Sequence, residues 1–290
     1  MSSAAGITAI VTAHRRVEAL LVTLSKLLAC QPPPDEVLVH VDGENAACEA
    51  AVREAFPRIQ ILRSTPPVGP GGGRNKLIAA AAHSVVASFD DDSYPLDADY
   101  FERLHDVFTA HPEASVIAAR VFHVNELVEP AVKTAAWTAD FSGGACAYRR
   151  DRFLTLGGYV PLPLAYNMEE VDLALRLHAE GGHVLATPWL RVFHDTDLAR
   201  HADPEVTASS IANLALLAYL RYPRSLWIIG AAQCANRIQW LWRHGRRRGI
   251  GRGLADIPRR LRAHQGHRGA LPASAVRSYL SLRRHPVPAT

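Results

Sequence analysis

The apolar positions of the chain fall into short runs separated by helical stretches. Ile7–Ala13 (ITAIVTA) is a β-branched run that predicts a strand. Residues 17–30 then place Val17, Leu20, Leu21, Leu24, Leu27 and Leu28 on one helical face. A stop at Pro32-Pro33-Pro34 precedes a second strand at 37–41, a helix at 45–56 and a third strand at 59–62. The run Gly69-Pro70-Gly71-Gly72-Gly73 predicts a helix that opens at Arg74 and runs to about His83, followed by a strand at 85–89 that leads into Asp90-Asp91-Asp92. Another helix is expected over 99–110 and another strand over 115–122. This alternation predicts an α/β fold: a mostly parallel, Rossmann-like central sheet flanked by helices, with ligands at the carboxyl ends of the strands.

The second half is less regular. It holds a Phe141-Ser142-Gly143-Gly144 loop, a short helix near 150–156, a helix over 169–180, and an apolar segment 183–193 that ends at His194-Asp195. Helical patterns resume over 209–220 and 225–243, after which Gly and Arg dominate, and no internal repeat is visible.

Composition sharpens this picture. With 48% hydrophobic and 21% charged residues in 290, the chain is neither disordered, fibrous nor a multi-span membrane protein. Its net charge of +4 conceals an asymmetry: residues 208–290 carry 15 Arg, no Lys and the single acid Asp256, a formal +14, which leaves −10 for residues 1–207. Two parts with opposite partners are implied, an acidic one over 1–207 and a basic amphipathic helical region over 208–290. The four cysteines are scattered, with no metal-ligand spacing and no disulfide framework, and the first residues lack the basic region of a secretory signal; a reduced, cytoplasmic setting is expected.

Three consecutive carboxylates at a strand exit repel one another, so something cationic should offset them. Asp90 and Asp92, being alternate, can point to the same side, and hard oxygen ligands suit Mg²⁺ or Mn²⁺ shared with substrate phosphates. An acidic turn is the alternative, since Ser93-Tyr94-Pro95 is turn-forming. A second acidic cluster, Glu169-Glu170-Val171-Asp172, opens a helix. There acids favour the helix dipole, and Asp172 with Arg176 would make a surface pair worth ~0.3 kcal/mol.

Taken together, the chain over about residues 6–200 resembles the family-two inverting glycosyltransferases of the GT-A fold. The resemblance rests on Thr12 and Arg15 after the first strand, Asp42 after the second, Arg74-Asn75 at a helix start, the D-x-D motif in Asp90 to Asp92, and Glu169-Glu170-Val171-Asp172-Leu173. A departure is Ala13-His14-Arg15 in place of the commoner Tyr-Asn-Arg type. The resemblance implies a transferase that moves a sugar from a nucleoside diphosphate, UDP or dTDP in type, onto a hydroxyl acceptor that is a glycan, a glycolipid or a small molecule. It assigns Asp42 to the base of the nucleotide, Asp90 or Asp91 to the ribose, and Thr12, Arg15 and Arg74 to further nucleotide contacts. Mn²⁺ or Mg²⁺ would be held by Asp92 with Asp90 and His194, Asp195 orienting the ring and His201 competing for the role. Glu170 takes the position of the general base that removes the acceptor's proton. Gly143 and Gly144 would floor the donor-sugar and acceptor pocket, with Glu169 nearby and Trp137 and Tyr166 stacking on sugar rings or belonging to the core. The resemblance also implies that 1–207 is a glycosyltransferase domain with a nucleotide-binding half at about 6–95 and an acceptor half at about 96–207, and the glycine run 69–73 is read as support beneath the nucleotide.

Other assignments fit less well. A nucleotidyltransferase would need a Gly-rich, basic loop after the first strand, and a haloacid-type phosphatase would carry its Asp-x-Asp there. The basic tail is too interrupted by Arg221 and Arg224 to span a bilayer, but its Trp and Arg suit the surface of an anionic membrane; packing on the core or on a second subunit is the alternative, and oligomeric state stays open. No nucleic-acid motif is present. The non-enzymatic rival is a membrane-associated scaffold that binds nucleotide sugars without turnover.

Overall fold

A computed structural model describes residues 6–162, 168–196 and 203–289. The elements, in order, are β1 (Ile7–Ala13), α1 (Val17–Leu28), β2 (Glu36–Asp42), α2 (Ala46–Ala55), β3 (Gln60–Ser64), α3 (Gly69–Ala80), β4 (Val85–Asp90), β5 (Ser93–Pro95), α4 (Tyr100–Ala110) and β6 (Ala114–His123). There follow β7 (Ala136–Thr138), β8 (Ala145–Arg149), α5 (Arg150–Thr155), α6 (Glu169–Ala179), β9 (His183–His194), α7 (Pro204–Arg221), α8 (Trp227–Arg243), α9 (Ile250–Ala263), α10 (Ala273–Arg284) and β10 (Val287–Pro288). The strands form one sheet in the order β10-β7-β9-β6-β8-β4-β1-β2-β3, with β5 paired to β9. Strands β1, β2, β3, β4, β6, β9 and β10 run one way and β5, β7 and β8 the other, so the sheet is mostly parallel as the alternation implied.

Two apolar layers cover it. Because side chains alternate along a strand, β1 sends Ala9 and Val11 to the face packed by Leu20, Leu24 and Leu27 of α1 and Phe101, Leu104 and Phe108 of α4. It sends Ile10 to the other face, where Leu77 and Ile78 of α3, Leu173 and Leu177 of α6, and Leu216 and Leu220 of α7 pack. Gly157 and Gly158, both at positive φ, end α5 as a glycine C-cap, with N–H groups returning to Leu154 and Phe153.

Two expectations change. Helix α3 begins at Gly69, not Arg74, so the glycine run lies inside the helix. It forms there because Asp42 accepts the N–H groups of Val68 (2.8 Å) and Gly69 (2.9 Å) at the helix entrance, and because Cβ atoms at 71 and 73 would run into Glu169 and His40. The Gly- and Arg-rich tail folds into α9 and α10, as the helical region expected over 208–290 implied. Asp172 is no surface residue: it is fully buried and paired with Arg176 (Nε to Oδ2, 2.8 Å) and Arg221 (Nε to Oδ1, 2.5 Å).

Those pairs tie the tail to the sheet layer. Val276 and Tyr279 of α10 are buried in the same core as α6, the Tyr279 hydroxyl donates to the Ala139 carbonyl (3.0 Å), and Arg283 pairs with Asp140 (2.8 Å). The loop 139–144 is thereby braced from behind. No helix among the described residues is long and apolar enough to cross a membrane.

Replacing Asp172 by Asn should leave two buried guanidinium groups without their counter-charge and cost about 3–5 kcal/mol. Equilibrium urea unfolding measures it; a loss below about 1 kcal/mol would show that the pairs are solvent-relieved.

Candidate active site

The carboxyl end of β4 carries the first acidic cluster, and strand register places it. Thr12 of β1 lies opposite Asp90, and its hydroxyl donates to the Asp90 carboxylate at 3.3 Å. Strand β5 pairs with β9 so that Ser93 faces His194, which sets the imidazole beside Asp92 (Nε2 to Oδ1, 3.1 Å). The Asp195 N–H donates to the Asp92 carbonyl at 2.8 Å and so acts on the backbone of the turn. Asp90, Asp92 and His194 each offer one ligand atom, all within 4.8 Å of one another. Two carboxylate oxygens and an imidazole nitrogen converging in this way fit a divalent cation such as Mn²⁺ or Mg²⁺.

The expected cationic offset comes from two arginines. Arg16, at the start of α1, reaches Asp91 and Asp92 with separate nitrogens. Arg74 of α3 is 3% exposed, pairs with Asp90, and donates Nε–H to the Ser88 hydroxyl at 3.1 Å. Burial opposes its charge, but Asp90 outweighs that and holds the guanidinium above its ordinary pKa. The three aspartates therefore differ. Asp91 is buried and pushed up to about 6 by desolvation, in spite of Arg16. Asp92 is also buried, but the hydrogen bond and charge of His194, with Arg16, bring it below the usual range. Burial acts to lower His194, and Asp92 more than reverses it.

The second acidic cluster meets the first across the Gly143-Gly144 loop. The Ser88 hydroxyl donates to the Gly143 carbonyl and that of Ser93 to the Gly144 carbonyl, each at 2.6 Å, so the loop is clamped to β4 and β5. The Gly143 N–H donates to Glu170 Oε1 at 3.3 Å. A Cβ at Gly143 would sit 2.8 Å from that oxygen and 3.0 Å from Arg74 Cζ, and one at Gly144 would fall on the Asp90 carboxylate. Glycine is needed at both positions by this close approach. Glu170 and Arg74 thus both lie against Gly143, and Arg74 pairs with Asp90. A groove of about 960 Å³ is lined by Phe141 and Ser142, the residues before Gly143, and by His123, whose ring lies 5.5 Å from that of His194; Asp90, Arg74 and Glu170 are not in its lining.

The remaining sequence-derived candidates lie as follows. Asp42 spends both oxygens on the entrance of α3, as described. Arg15 is exposed, and it is its neighbour Arg16 that reaches the aspartates. Glu169 is 1% exposed, abuts Gly71, and accepts the Leu162 N–H at 3.3 Å. The Trp137 ring packs between His111 and His183 at the β7 edge. Tyr166 and His201 lie outside the described residues. Sequence reading missed Arg16, Ser88, Ser93 and His123. The need for a cation beside three aspartates was the available signal for Arg16, whereas a serine clamp leaves none.

A mostly parallel sheet with acids and a cation-suited cluster at its strand ends, closed by a glycine loop, is the arrangement of the GT-A fold. Comparisons agree. The glycosyl transferase family 2 profile matches residues 8–156, just over half of the chain, and the chain belongs to that family. Among curated proteins none matches. Similar solved structures include a mannosyltransferase, PcManGT from Pyrobaculum calidifontis, in complex with GDP-Man and Mn²⁺ (16% identity, TM-score 0.61, 97% of this chain and 80% of that one). GalNAc-T7 with UDP, GalNAc and Mn²⁺ is another (12%, 0.61, 77% of this chain), and the present chain spans about half (49%) of its length. A third is S. aureus TarS 1-349 with UDP-GlcNAc (15%, 0.56, 73% and 66%).

Glu169 supplies a pH test. Burial and the neighbouring charge of Glu170, only partly offset by Arg74 and the backbone, push its carboxyl from 4.5 up to about 8. Between those values the unfolded chain releases this proton and the folded chain keeps it, so this group makes stability fall as pH rises through the window. Glu169→Gln should remove that decline. In urea unfolding the variant should gain on the wild type between about pH 5 and about pH 8; parallel curves would place the carboxyl in solvent.

Proposed function

We propose that the chain is a metal-dependent inverting glycosyltransferase, which moves a sugar from a nucleoside diphosphate of the UDP or dTDP type to a hydroxyl acceptor. The observation that carries this reading is the placement of both acidic clusters about one buried guanidinium: Arg74 pairs with Asp90 and, like Glu170, lies against Gly143. Inversion requires a base on one side of the sugar and a leaving diphosphate on the other. Glu170 serves as the base: its carboxylate takes the proton of the acceptor hydroxyl as the oxygen attacks the anomeric carbon. Asp90, Asp92 and His194 would hold Mn²⁺ or Mg²⁺, which supplies positive charge to the departing diphosphate. Arg16 and Thr12 line the same end, and Arg74 pairs with Asp90 there. Asp42 retains acceptor capacity for the base after holding α3.

The same reading places the enzyme on the cytoplasmic face of a membrane, acting on a lipid-linked or envelope glycan. Trp227 and Ile228 are exposed at the start of α8, with Arg268 over the Trp227 ring, and Trp242 is exposed near its end, with Arg247 over its ring and Arg243, Arg246 and Arg248 close in sequence, a combination suited to anionic headgroups.

A panel of nucleotide sugars incubated with Mn²⁺ and acceptors should release nucleoside diphosphate from one of them. Glu170→Gln should slow transfer about 10²–10⁴-fold with donor affinity nearly unchanged. Asp92→Asn should weaken Mn²⁺-dependent donor binding by at least the about 10–100-fold that loss of an outer-shell partner costs. Equal loss of donor binding in both variants would refute this division of labour, and donor binding without turnover in any combination would favour the scaffold.

A further inference from the structure

A second polar cavity, of about 370 Å³, lies between α7 and α9, away from the cation-suited cluster. Arg252, Arg259 and Arg260 of α9 and His264 just after it line it, with Ser209 of α7 and Leu162. Its two carboxylates, Glu205 and Asp256, are matched to the two outer arginines, at 3.7 Å from Arg252 and 3.2 Å from Arg259. The inner arginine is different. Arg260 is half-buried and donates only to neutral oxygens, those of Asn213 and of Ser209 (2.9 Å); among the described residues no carboxylate lies within 4 Å of it. Burial, with the like charges of Arg259 and Arg252 and in spite of Asp256, holds it below the ordinary guanidinium value. A half-buried cation crowded by two others is relieved by an anion, and guanidinium groups match the oxygens of phosphate.

One lining residue links the cavity to α6: Leu162 donates its N–H to Glu169, the residue before the proposed base.

We propose that this cavity binds the phosphate of the acceptor, so that the hydroxyl substrate is itself phosphorylated. The inference rests on the glycosyltransferase reading, because it gives the acceptor of that reaction its chemical class. A phosphate anchored by Arg260, with Arg259 and Arg252 at the mouth, orients the acceptor on the side of the protein that carries Glu170. The phosphate is either that of a soluble phosphorylated sugar or the headgroup of a lipid.

The test uses the full chain in EDTA, which removes cation-mediated binding at the donor site, and titrates inorganic phosphate against chloride at equal ionic strength. Phosphate should raise the melting temperature of the wild type. Arg259→Gln/Arg260→Gln should weaken the apparent phosphate affinity about tenfold or more. Because Arg260 also joins α7 to α9, Arg252→Gln/Arg259→Gln, which alters two solvent-exposed side chains, provides a second variant and should weaken it in the same direction. Sedimentation with phosphatidylcholine vesicles, with and without phosphatidic acid, separates the sources. Capture by phosphatidic acid that both double variants lose supports a lipid-borne phosphate, and phosphate binding without such capture supports a soluble one. A wild type indifferent to phosphate, or double variants with its full response, would overturn the proposal. UDP titration with Mn²⁺ runs in parallel: retained UDP binding confines such a failure to the cavity, whereas loss of UDP binding in the wild type would sink the transferase reading itself.

Discussion

The burial of Arg74 between Asp90 and the Glu170 side of the Gly143 loop is the constraint on which the rest of the site depends. A guanidinium removed from water is tolerated only if opposite charge and hydrogen-bond acceptors surround it. Asp90 supplies the charge and Ser88 an acceptor, and the negative field of Glu170 adds to them. In return Arg74 allows acids from β4 and α6 to lie close together, which their mutual repulsion would otherwise oppose. Four elements meet at this cation: α3, which carries it; β4, which ends in Asp90; the glycine loop; and α6. Each is held from outside the site as well. Asp42 fixes the entrance of α3, Ser88 and Ser93 clamp the loop, and Asp172 anchors α6 to the tail through Arg221.

The aspartate triplet is divided by its surroundings. Asp91 turns inward beneath α1, and its carbonyl accepts from Thr23 at 3.0 Å. Asp92 faces Arg16 with one oxygen and His194 with the other. Asp90 is turned toward Thr12 and Arg74. One sequence motif thus contains a structural acid and two that converge with an imidazole on a cation-sized space. The antiparallel pairing of β5 with β9 makes that convergence, since it brings residues about a hundred positions apart in the chain into hydrogen-bond distance.

The basic tail is part of the same construction. Arg221 enters the core to complete the Asp172 pair, and α10 reaches back to Ala139 and Asp140 behind the glycine loop. Of its arginines, some neutralise buried acids, some cap tryptophan faces, as Arg247 does over Trp242, and some line the α7–α9 cavity. Net charge alone did not distinguish these roles, because a formal charge carries no information about its partner.

Much of the fold was legible along the chain. The strands and helices of the first half appear at their expected places because periodicity of apolar residues is a local property, and so is the stop imposed by consecutive prolines. The acidic clusters and the histidine were legible too, through chemistry that few residue types can perform. What was not legible depends on neighbours distant in sequence. Glu169 and Glu170 look equivalent in a helix's first turn, yet successive helical residues point in different directions, so one is buried against Gly71 and the other meets Gly143. Arg15 and Arg16 are likewise separated only by where α1 docks. A glycine run that reads as a loop becomes helix because Asp42, from another strand, satisfies its first N–H groups. Local pattern therefore specified the elements and the kinds of chemistry available; packing and strand register selected which side chain of each adjacent pair performs it.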